Sequence, residues 1–174
     1  MDLEKIASDA VSGDEDAFVM LMKAYKTDLY RTAYAYLKNE QDAIEAVQET
    51  TYRAYKSIQT LKQPVYAKTW MIRIMINVCQ TELKKKKRMV PHLTEENGIA
   101  SDDNASFIET AEALDSLEPE ERELVHMKYF QDMTITQVAH ALNMPEGTVK
   151  TKLYKSLSRL KRWFEKGEHT RVSK

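Results

Sequence analysis

One helix face near the C-terminus combines cations, hydroxyls and a tyrosine. The stretch reads QVAHALNMPEGTVKTKLYKSLSRLK, in which the turn LNMPEGT separates a short helical pattern from a longer one. This arrangement is the helix-turn-helix pattern, whose second helix meets base edges in the major groove. The first amides of that helix can also face a phosphate. The candidate DNA-contacting residues are Glu146, Gly147, Thr148, Lys150, Thr151, Tyr154, Lys155, Ser158 and Arg162.

Apolar spacing predicts which faces of these two helices are buried. The inward stripe of the short helix consists of Ile135, Val138, Ala139 and Leu142. That of the longer helix consists of Val149, Leu153, Leu157, Leu160 and Phe164. An αα-hairpin whose basic face is merely solvated would show the same pattern, so this stretch leaves both interpretations open.

A second candidate nucleic-acid surface lies in the N-terminal half, where aromatic residues stand beside cations. Rings can stack on unpaired bases while lysines follow the backbone, which suits single-stranded nucleic acid. The alternative is that Trp70, Ile74 and Val78, at four-residue spacing, belong to the core. The candidate residues are Lys62, Tyr66, Lys68, Trp70, Arg73, Asn77, Gln80 and Lys84.

A third candidate surface is acidic and therefore unsuited to nucleic acid. Asp42, Glu45, Gln48 and Glu49 lie on successive turns of one predicted helix. Such a face is complementary to a basic protein partner, although a solvated helix face has the same composition.

The elements that carry these surfaces are all predicted to be helices. The chain is 43% apolar and 30% charged, with only four Gly and four Pro, which favours an all-α globular protein. An apolar stripe of Ile44, Val47, Thr51, Ala54, Tyr55 and Ile58 is predicted for the helix that carries the acidic face. The predicted helices span 3–11, 16–38, 41–58, 67–88, 108–117, 119–130, 134–142 and 145–165.

Composition predicts two helical domains, 1–88 and 108–174, joined by a flexible linker over 89–107. The linker sequence loses helical periodicity and gathers Pro, Gly, Ser, Asn and Asp. Charge is segregated as well, because the run KKKKR at 84–88 and the basic C-terminal segment flank an acidic stretch. Two basic surfaces separated by acidic residues indicate two contacts with a polyanion.

Several function classes find little support in the residues. The lone Cys79 cannot form an internal disulfide and is expected to be a buried thiol of a cytoplasmic protein. No signal peptide or membrane span is expected, and no Gly-rich phosphate loop appears. The histidines lack metal-ligand spacing, so we expect no enzyme, cofactor, metal or small-molecule substrate. They are His92, His126, His140 and His169.

Motifs in both halves resemble those of the extracytoplasmic-function (ECF) sigma factors, the two-domain initiation factors of bacterial RNA polymerase. In the first half these are DAIEAVQETTYRAY and AKTWMIRIMINVC. In the second half LDSLEPEERELVHMKYFQDMTITQVAHALNMPEGTVKTKLYKSLSRLK is similar to the family's helix-turn-helix domain. The resemblance implies a region 2-like helical bundle followed by a region 4-like helix-turn-helix domain.

The resemblance also implies a role for each surface. The first half would bind the largest polymerase subunit through Asp42, Glu45, Val47, Gln48 and Glu49. The segment 61–68 and the following helix would melt and read the minus-ten element, and the helix from Glu146 would read the minus-thirty-five element. Partners implied are core RNA polymerase, promoter DNA and an anti-sigma factor, which in this family is often membrane-anchored.

Some positions depart from the family pattern. Ile44 stands where an acidic residue is usual and Thr51 where Phe is usual. The segment QPVYAK lacks the usual Gly and Ser, and Thr136 and Gln137 replace a common acidic pair. The residues alone also allow a stand-alone helix-turn-helix regulator whose N-terminal domain senses a ligand or dimerises, and that binds palindromic half-sites.

Overall fold

The described part of the chain is built from helices. The computed structural model describes residues 1–89 and 112–171, and no strand occurs in those ranges. The chain divides into two compact units, Met1–Pro91 and His92–Lys174. The prediction of an all-α protein with two helical domains is confirmed. Apart from Met89, the predicted linker lies outside the described residues, as does the start of the helix predicted over 108–117.

The N-terminal unit contains four helices. They are α1 (Leu3–Val11), α2 (Glu15–Leu37), α3 (Glu40–Ser57) and α4 (Ala67–Met89). Two short 3-10 turns, Ile58–Thr60 and Pro64–Tyr66, connect α3 to α4. Each helix lies within two residues of its predicted bounds.

Side-chain caps explain why three of these helices begin where they do. Asp2, Asp14 and Asn39 each accept a hydrogen bond from the backbone N–H three residues further on, at 3.1, 2.9 and 2.9 Å. Each cap satisfies a donor that the first helical turn leaves without a partner. Gly13, with φ of 101°, supplies the left-handed turn between α1 and α2.

The core of the N-terminal unit is centred on α4. Met71, Ile72, Met75 and Ile76 are completely buried, and α4 packs against both α2 and α3. Burying a side chain of this size contributes about 1.5–3 kcal/mol. The predicted burial of Cys79 is confirmed, since its thiol lies in the same core.

The predicted apolar stripe of α3 is wrong in part. Ala54 and Ile58 are buried as expected, and Val47 and Thr51 are half-buried. Residues of small volume form the rest of the buried stripe. They are Ala43, Ala46 and Thr50.

Ile44 and Tyr55, the other two members of the predicted stripe, are 39% and 49% exposed. Small side chains line the contact between α3 and the helices it packs against. The larger Ile44 and Tyr55 lie outside that contact. Tyr55 instead packs edge-on against Phe18, with ring centroids 5.4 Å apart, and donates to Glu15 Oε1 at 2.7 Å. That hydrogen bond raises the pKa of Tyr55.

The described part of the C-terminal unit consists of a helical turn at 112–115 and three longer segments. These are α5 (Pro119–Val125), which continues into a π-helical turn at His126–Phe130, α6 (Ile135–Leu142) and α7 (Glu146–Arg171). The prediction of Pro119 at the first position of its helix is confirmed. The last helix runs six residues beyond the predicted end.

The predicted apolar stripe of α7 is also wrong in part. Val149 and Leu153 are buried, but Leu157 and Phe164 are 39% and 37% exposed. Leu160 is half-buried on the predicted side, and the line is completed by the completely buried Ser156 and the half-buried Trp163. Repeated steps of four residues rotate by about 40° each, so the stripe must include a three-residue step to stay on one face.

Candidate nucleic-acid interfaces

A short turn joins α6 to α7 and holds them in contact. Asn143 adopts the left-handed conformation at φ of 51°, and the N–H of Met144 donates to the carbonyl of Ala139 at 2.9 Å. Three residues separate the two helices. Val138 and Val149 are completely buried, one on each helix. This is helix-turn-helix geometry.

The outer face of α7 presents its predicted DNA-contacting residues to solvent. Of the nine candidates, eight are exposed and Ser158 is half-buried. Tyr154 is 75% exposed, although a phenol ring is largely apolar. Because Glu146, Gly147 and Thr148 form the first turn, backbone N–H groups without helical partners accompany them.

Two cations of α7 are held by acidic residues of α5. Lys152 Nζ lies 2.6 Å from Glu120 Oε2, and Arg159 Nη1 lies 2.9 Å from Glu121 Oε2. These ion pairs connect the two helices across the unit. Lys152 and Arg159 therefore serve the packing of α7 rather than its outer face.

The three cations of α7 that were predicted to contact DNA are not held in this way. Within residues 112–171, Lys150, Lys155 and Arg162 form no ion pair. All three are exposed. Lys150 lies about 200° around the helix axis from Lys152, whereas Lys155 and Arg162 lie about 40–80° from Lys152 and Arg159. An exposed, unneutralised set of cations is complementary to a phosphate backbone.

Five of the predicted minus-ten residues share one face of α4. They recur at intervals of three or four residues and so fall within about 80° around the helix axis. The set is Trp70, Arg73, Asn77, Gln80 and Lys84, of which Arg73, Asn77 and Lys84 are exposed and the other two half-buried. Trp70 thus lies neither in the core nor fully on the surface.

The remaining predicted minus-ten residues are not all on this face. Lys68 lies two residues before Trp70, about 200° around the helix, and its Nζ is 2.8 Å from Asp28 Oδ2 of α2. Lys62 is exposed and Tyr66 is half-buried, both in the segment between α3 and α4. Lys68 therefore contacts α2 in this structure.

The lysine run at the end of α4 divides into two groups. Lys85 Nζ lies 2.8 Å from Glu82 Oε1, and Lys86 pairs with Asp42 of α3. Three others are exposed and form no ion pair among residues 1–89. These are Lys84, Lys87 and Arg88. Helical geometry places Lys84 and Arg88 on the side of Trp70 and Lys87 about 100° around the axis from it.

The predicted polymerase-binding residues cover a wide arc of α3. Glu45, Gln48 and Glu49 are exposed, whereas Asp42 and Val47 are half-buried. Five residues turn a helix by about 140°, so Asp42 and Val47 lie on opposite borders of the buried stripe. The structure brings the acidic residues together and leaves Val47 apart from them.

The carboxylates of this arc have contacts within the N-terminal unit. Glu49 Oε1 lies 2.6 Å from Arg53 Nε, and Glu45 Oε1 accepts from Gln41 Nε2 at 3.0 Å. Exposed ion pairs of this kind contribute at most about 1 kcal/mol. A basic partner can therefore displace them at small cost.

Besides Tyr55, two exposed apolar residues of α3 were not among the predicted site residues. Ile44 is 39% exposed, and Tyr52 is 54% exposed with Lys56 Nζ 4.5 Å from its ring centroid. Single exposed apolar side chains are common on protein surfaces, and here they add apolar area beside the predicted polymerase-binding residues. The spacing of Ala43, Ala46 and Ala54 in the sequence could have predicted this exposure. These alanines mark the buried side of α3, and Ile44 and Tyr52 lie on the other side.

Known protein families match both units of the chain. Residues 21–89 match the Sigma-70 region 2 family, and residues 108–160 match the Sigma-70, region 4 family. RNA polymerase sigma factor SigV of Bacillus subtilis is 30% identical over 136 residues, which cover 76% of this chain and 82% of SigV. ECF RNA polymerase sigma factor SigW of the same organism is 25% identical and covers 93% of this chain and 96% of its own.

Solved structures show the same fold at lower identity. CnrH, in complex with the cytosolic domain of CnrY, has a TM-score of 0.72 at 18% identity, covering 94% of this chain and 97% of its own. RpoE of Bartonella quintana, in complex with the anti-sigma factor NepR, has a TM-score of 0.60, also at 18% identity. It covers 87% of this chain and 96% of its own. Family matches, relatives and fold agree: the chain belongs to the ECF family of RNA polymerase sigma factors.

Membrane-spanning helices and metal-binding clusters are both absent from the described residues. No helix in residues 1–89 or 112–171 is long and apolar enough to cross a membrane. In the same ranges, no group of three His, Cys, Asp or Glu residues is placed to hold a metal ion.

Proposed function

We propose that this chain binds bacterial RNA polymerase core and directs initiation at promoters with two recognition elements. The outer face of α7 reads the minus-thirty-five element as duplex. The face of α4 that carries Trp70, together with the segment 61–68, melts and reads the minus-ten element. The exposed arc of α3 binds the largest polymerase subunit. The chain supplies no catalytic group, and the chemistry belongs to the polymerase.

The observation that carries this proposal is the division of the cations on α7. Lys152 and Arg159 are held by Glu120 and Glu121, whereas Lys150, Lys155 and Arg162 are not neutralised by any described residue of 112–171. The paired set attaches α7 to its own unit. The exposed set is available to phosphates and base edges.

Two DNA-reading units on one chain explain how modest surfaces give a specific factor. Each contact raises the effective concentration of the other once the chain is bound to polymerase. The free chain is therefore expected to bind DNA weakly. Its promoter specificity emerges in the complex with core polymerase.

Control by an anti-sigma factor is the second part of the proposal. CnrH and RpoE were solved with the cytosolic domain of CnrY and with the anti-sigma factor NepR, respectively. In this chain the exposed Ile44 and Tyr52 on α3 give an inhibitor an apolar surface to cover. We propose a cytoplasmic factor that an anti-sigma protein, soluble or membrane-anchored, holds away from polymerase.

Transcription in vitro tests the proposal directly. Core RNA polymerase is supplied with a genomic fragment library, with and without this protein. New start sites that depend on the protein and share two upstream elements are expected. Specific DNA binding without core-dependent initiation would instead identify a stand-alone helix-turn-helix regulator and overturn the proposal.

A further inference from the structure

We propose that Thr136 is a specificity-determining positioning residue for promoter recognition. Its hydroxyl holds the side chain of Glu146 so that the carboxylate accepts a hydrogen bond from the amino group of one cytosine in the minus-thirty-five element. This inference rests on the proposed function of α7 as the reader of that element. It adds a residue of α6 to the reading surface.

The direct observation is a hydrogen bond between the two helices of the helix-turn-helix. Thr136 Oγ1 donates to Glu146 Oε1 at 2.7 Å, across ten residues of sequence. Both side chains are exposed. Glu146 is the first residue of α7, so the contact lies at the end of the helix that enters a major groove.

The helical turn that carries Thr136 is ordered by hydrogen bonds between Thr134 and Gln137. Thr134 Oγ1 accepts from the N–H of Gln137 at 3.1 Å, and Gln137 Oε1 accepts from the N–H of Thr134 at 2.8 Å. This reciprocal capping box orders the first turn of α6. The box orders the backbone that carries Thr136, and the hydrogen bond to Glu146 sets the direction of its hydroxyl.

The chemistry of a carboxylate selects the base. A carboxylate near the DNA backbone is repelled by phosphate, so Glu146 gains only by meeting a hydrogen-bond donor. The pairing of Glu with a base edge in the major groove is to the N4 amino group of cytosine. The one donor hydrogen of Thr136 goes to Oε1, and Oε2 accepts no hydrogen bond from the described residues of 112–171.

The neighbouring residue leaves room for this approach. Gly147 follows Glu146, and a Cβ built on it would meet no heavy atom within 4 Å. The surface beside the carboxylate is thus open in the free protein.

A purely structural role makes a different prediction. An acidic residue in the first turn stabilises the helix through its interaction with the helix dipole. An exposed hydrogen bond adds slightly to folding stability. On that account, substitution of Thr136 or Glu146 changes folding stability or lowers binding to all sequences alike. On the present account, it changes the preference at one base pair.

The experiment is initiation by core polymerase with the full chain on promoters randomised in the minus-thirty-five element. Wild type is compared with Thr136→Val, which keeps the shape of the side chain without its hydroxyl, and with Thr136→Ser, which keeps the hydroxyl. Glu146→Ala removes the acceptor itself, whereas glutamine would keep an amide oxygen that can accept from cytosine. Thermal melts of each variant show that the helix-turn-helix is folded.

We expect Glu146→Ala to lose a cytosine preference at one position by roughly 5- to 150-fold. Thr136→Val should lose about 2- to 10-fold of the same preference, and Thr136→Ser should retain it. Unchanged preferences in Glu146→Ala or Thr136→Val, or equal losses on all sequences, would overturn the inference while the wild type still initiates. Failure of the wild type itself to initiate would instead overturn the proposed function, and this inference with it.

Discussion

Lys152 Nζ lies 2.6 Å from Glu120 Oε2, whereas Lys150, two residues earlier on α7, has no ion-pair partner among residues 112–171. Two residues rotate a helix by about 200°, so these lysines face opposite ways. One side of α7 is thus attached to α5 while the other stays available to a polyanion.

Replacing these two lysines by alanine should have different effects. Lys150→Ala should weaken binding to duplex carrying the minus-thirty-five element and reduce the salt slope by about 1, because one phosphate or base contact is lost. Lys152→Ala should leave the slope unchanged and cost at most about 1 kcal/mol of folding free energy. Binding anisotropy at several salt concentrations and urea unfolding measure the two effects. An equal loss of slope in Lys152→Ala would contradict this assignment.

Gly147→Ala should stabilise the protein and weaken its DNA binding. Alanine is favoured over glycine within a helix by up to about 1 kcal/mol, and the added methyl group meets no atom of the protein within 4 Å. If DNA approaches the first turn of α7 closely, the methyl group obstructs it. Thermal unfolding should therefore shift upward while affinity for the duplex falls. Undiminished affinity would show that the glycine does not mark a close approach.

Local signals in the sequence predicted the helices well. Asp14 and Asn39 cap α2 and α3 near the predicted starts, and Pro119 begins α5 as expected. These signals involve atoms three residues apart, so they can be read from the chain directly. Their energies do not depend on how the helices later pack.

The buried face of each helix, and the ion pairs between residues far apart in sequence, were harder to predict. Hydrophobicity assigned Ile44 and Leu157 to the core, but close packing selected small residues such as Ala46 and Ser156 instead. The apolar stripe of α7 placed Lys150 and not Lys152 on the outer face, but it did not predict the partner of Lys152. That partner, Glu120 of α5, lies thirty-two residues earlier, so the ion pair follows only from the packing of the two helices.

The corrected stripe of α7 predicts unequal costs for two leucines. Leu153→Ala should destabilise the C-terminal unit by about 2–5 kcal/mol, because Leu153 is buried and its removal leaves a cavity. Leu157→Ala should cost less, no more than about 1.5 kcal/mol, since 39% of that residue's surface is already exposed to solvent. Urea denaturation of the two variants measures the difference. Equal costs would restore the original prediction that both leucines face inward.

Tyr52 on α3 is expected to contribute to polymerase binding rather than to folding. It is 54% exposed beside the acidic residues of the predicted interface, and exposed aromatic side chains often dominate binding energy. Tyr52→Ala should weaken binding to core polymerase by about tenfold. Tyr34→Ala, at a similarly exposed tyrosine of α2, is the matched control. Equal effects of the two substitutions in a core-binding titration would remove α3 from its proposed role.

His126 should make the C-terminal unit less stable in mild acid. Its ring is buried and stacks on Phe130 with centroids 5.3 Å apart. Burial, reinforced by the positive charge of Arg122, lowers the pKa of His126 from 6.5 to about 4. Between these values the unfolded chain binds a proton that the folded chain does not. The free energy of unfolding must therefore fall as the pH drops from 6.5 towards 4.

The expected loss from His126 is about 2 kcal/mol between pH 7.5 and pH 5. Urea unfolding of a Trp70→Phe variant measures it, because the remaining tryptophan, Trp163, reports on the C-terminal unit alone. His126→Gln in the same background is the control, since carboxylates also titrate near pH 5. The stability of that control should depend less on pH by the same 2 kcal/mol or so. Matching pH dependence in the two proteins would show that the folded unit accommodates a protonated His126.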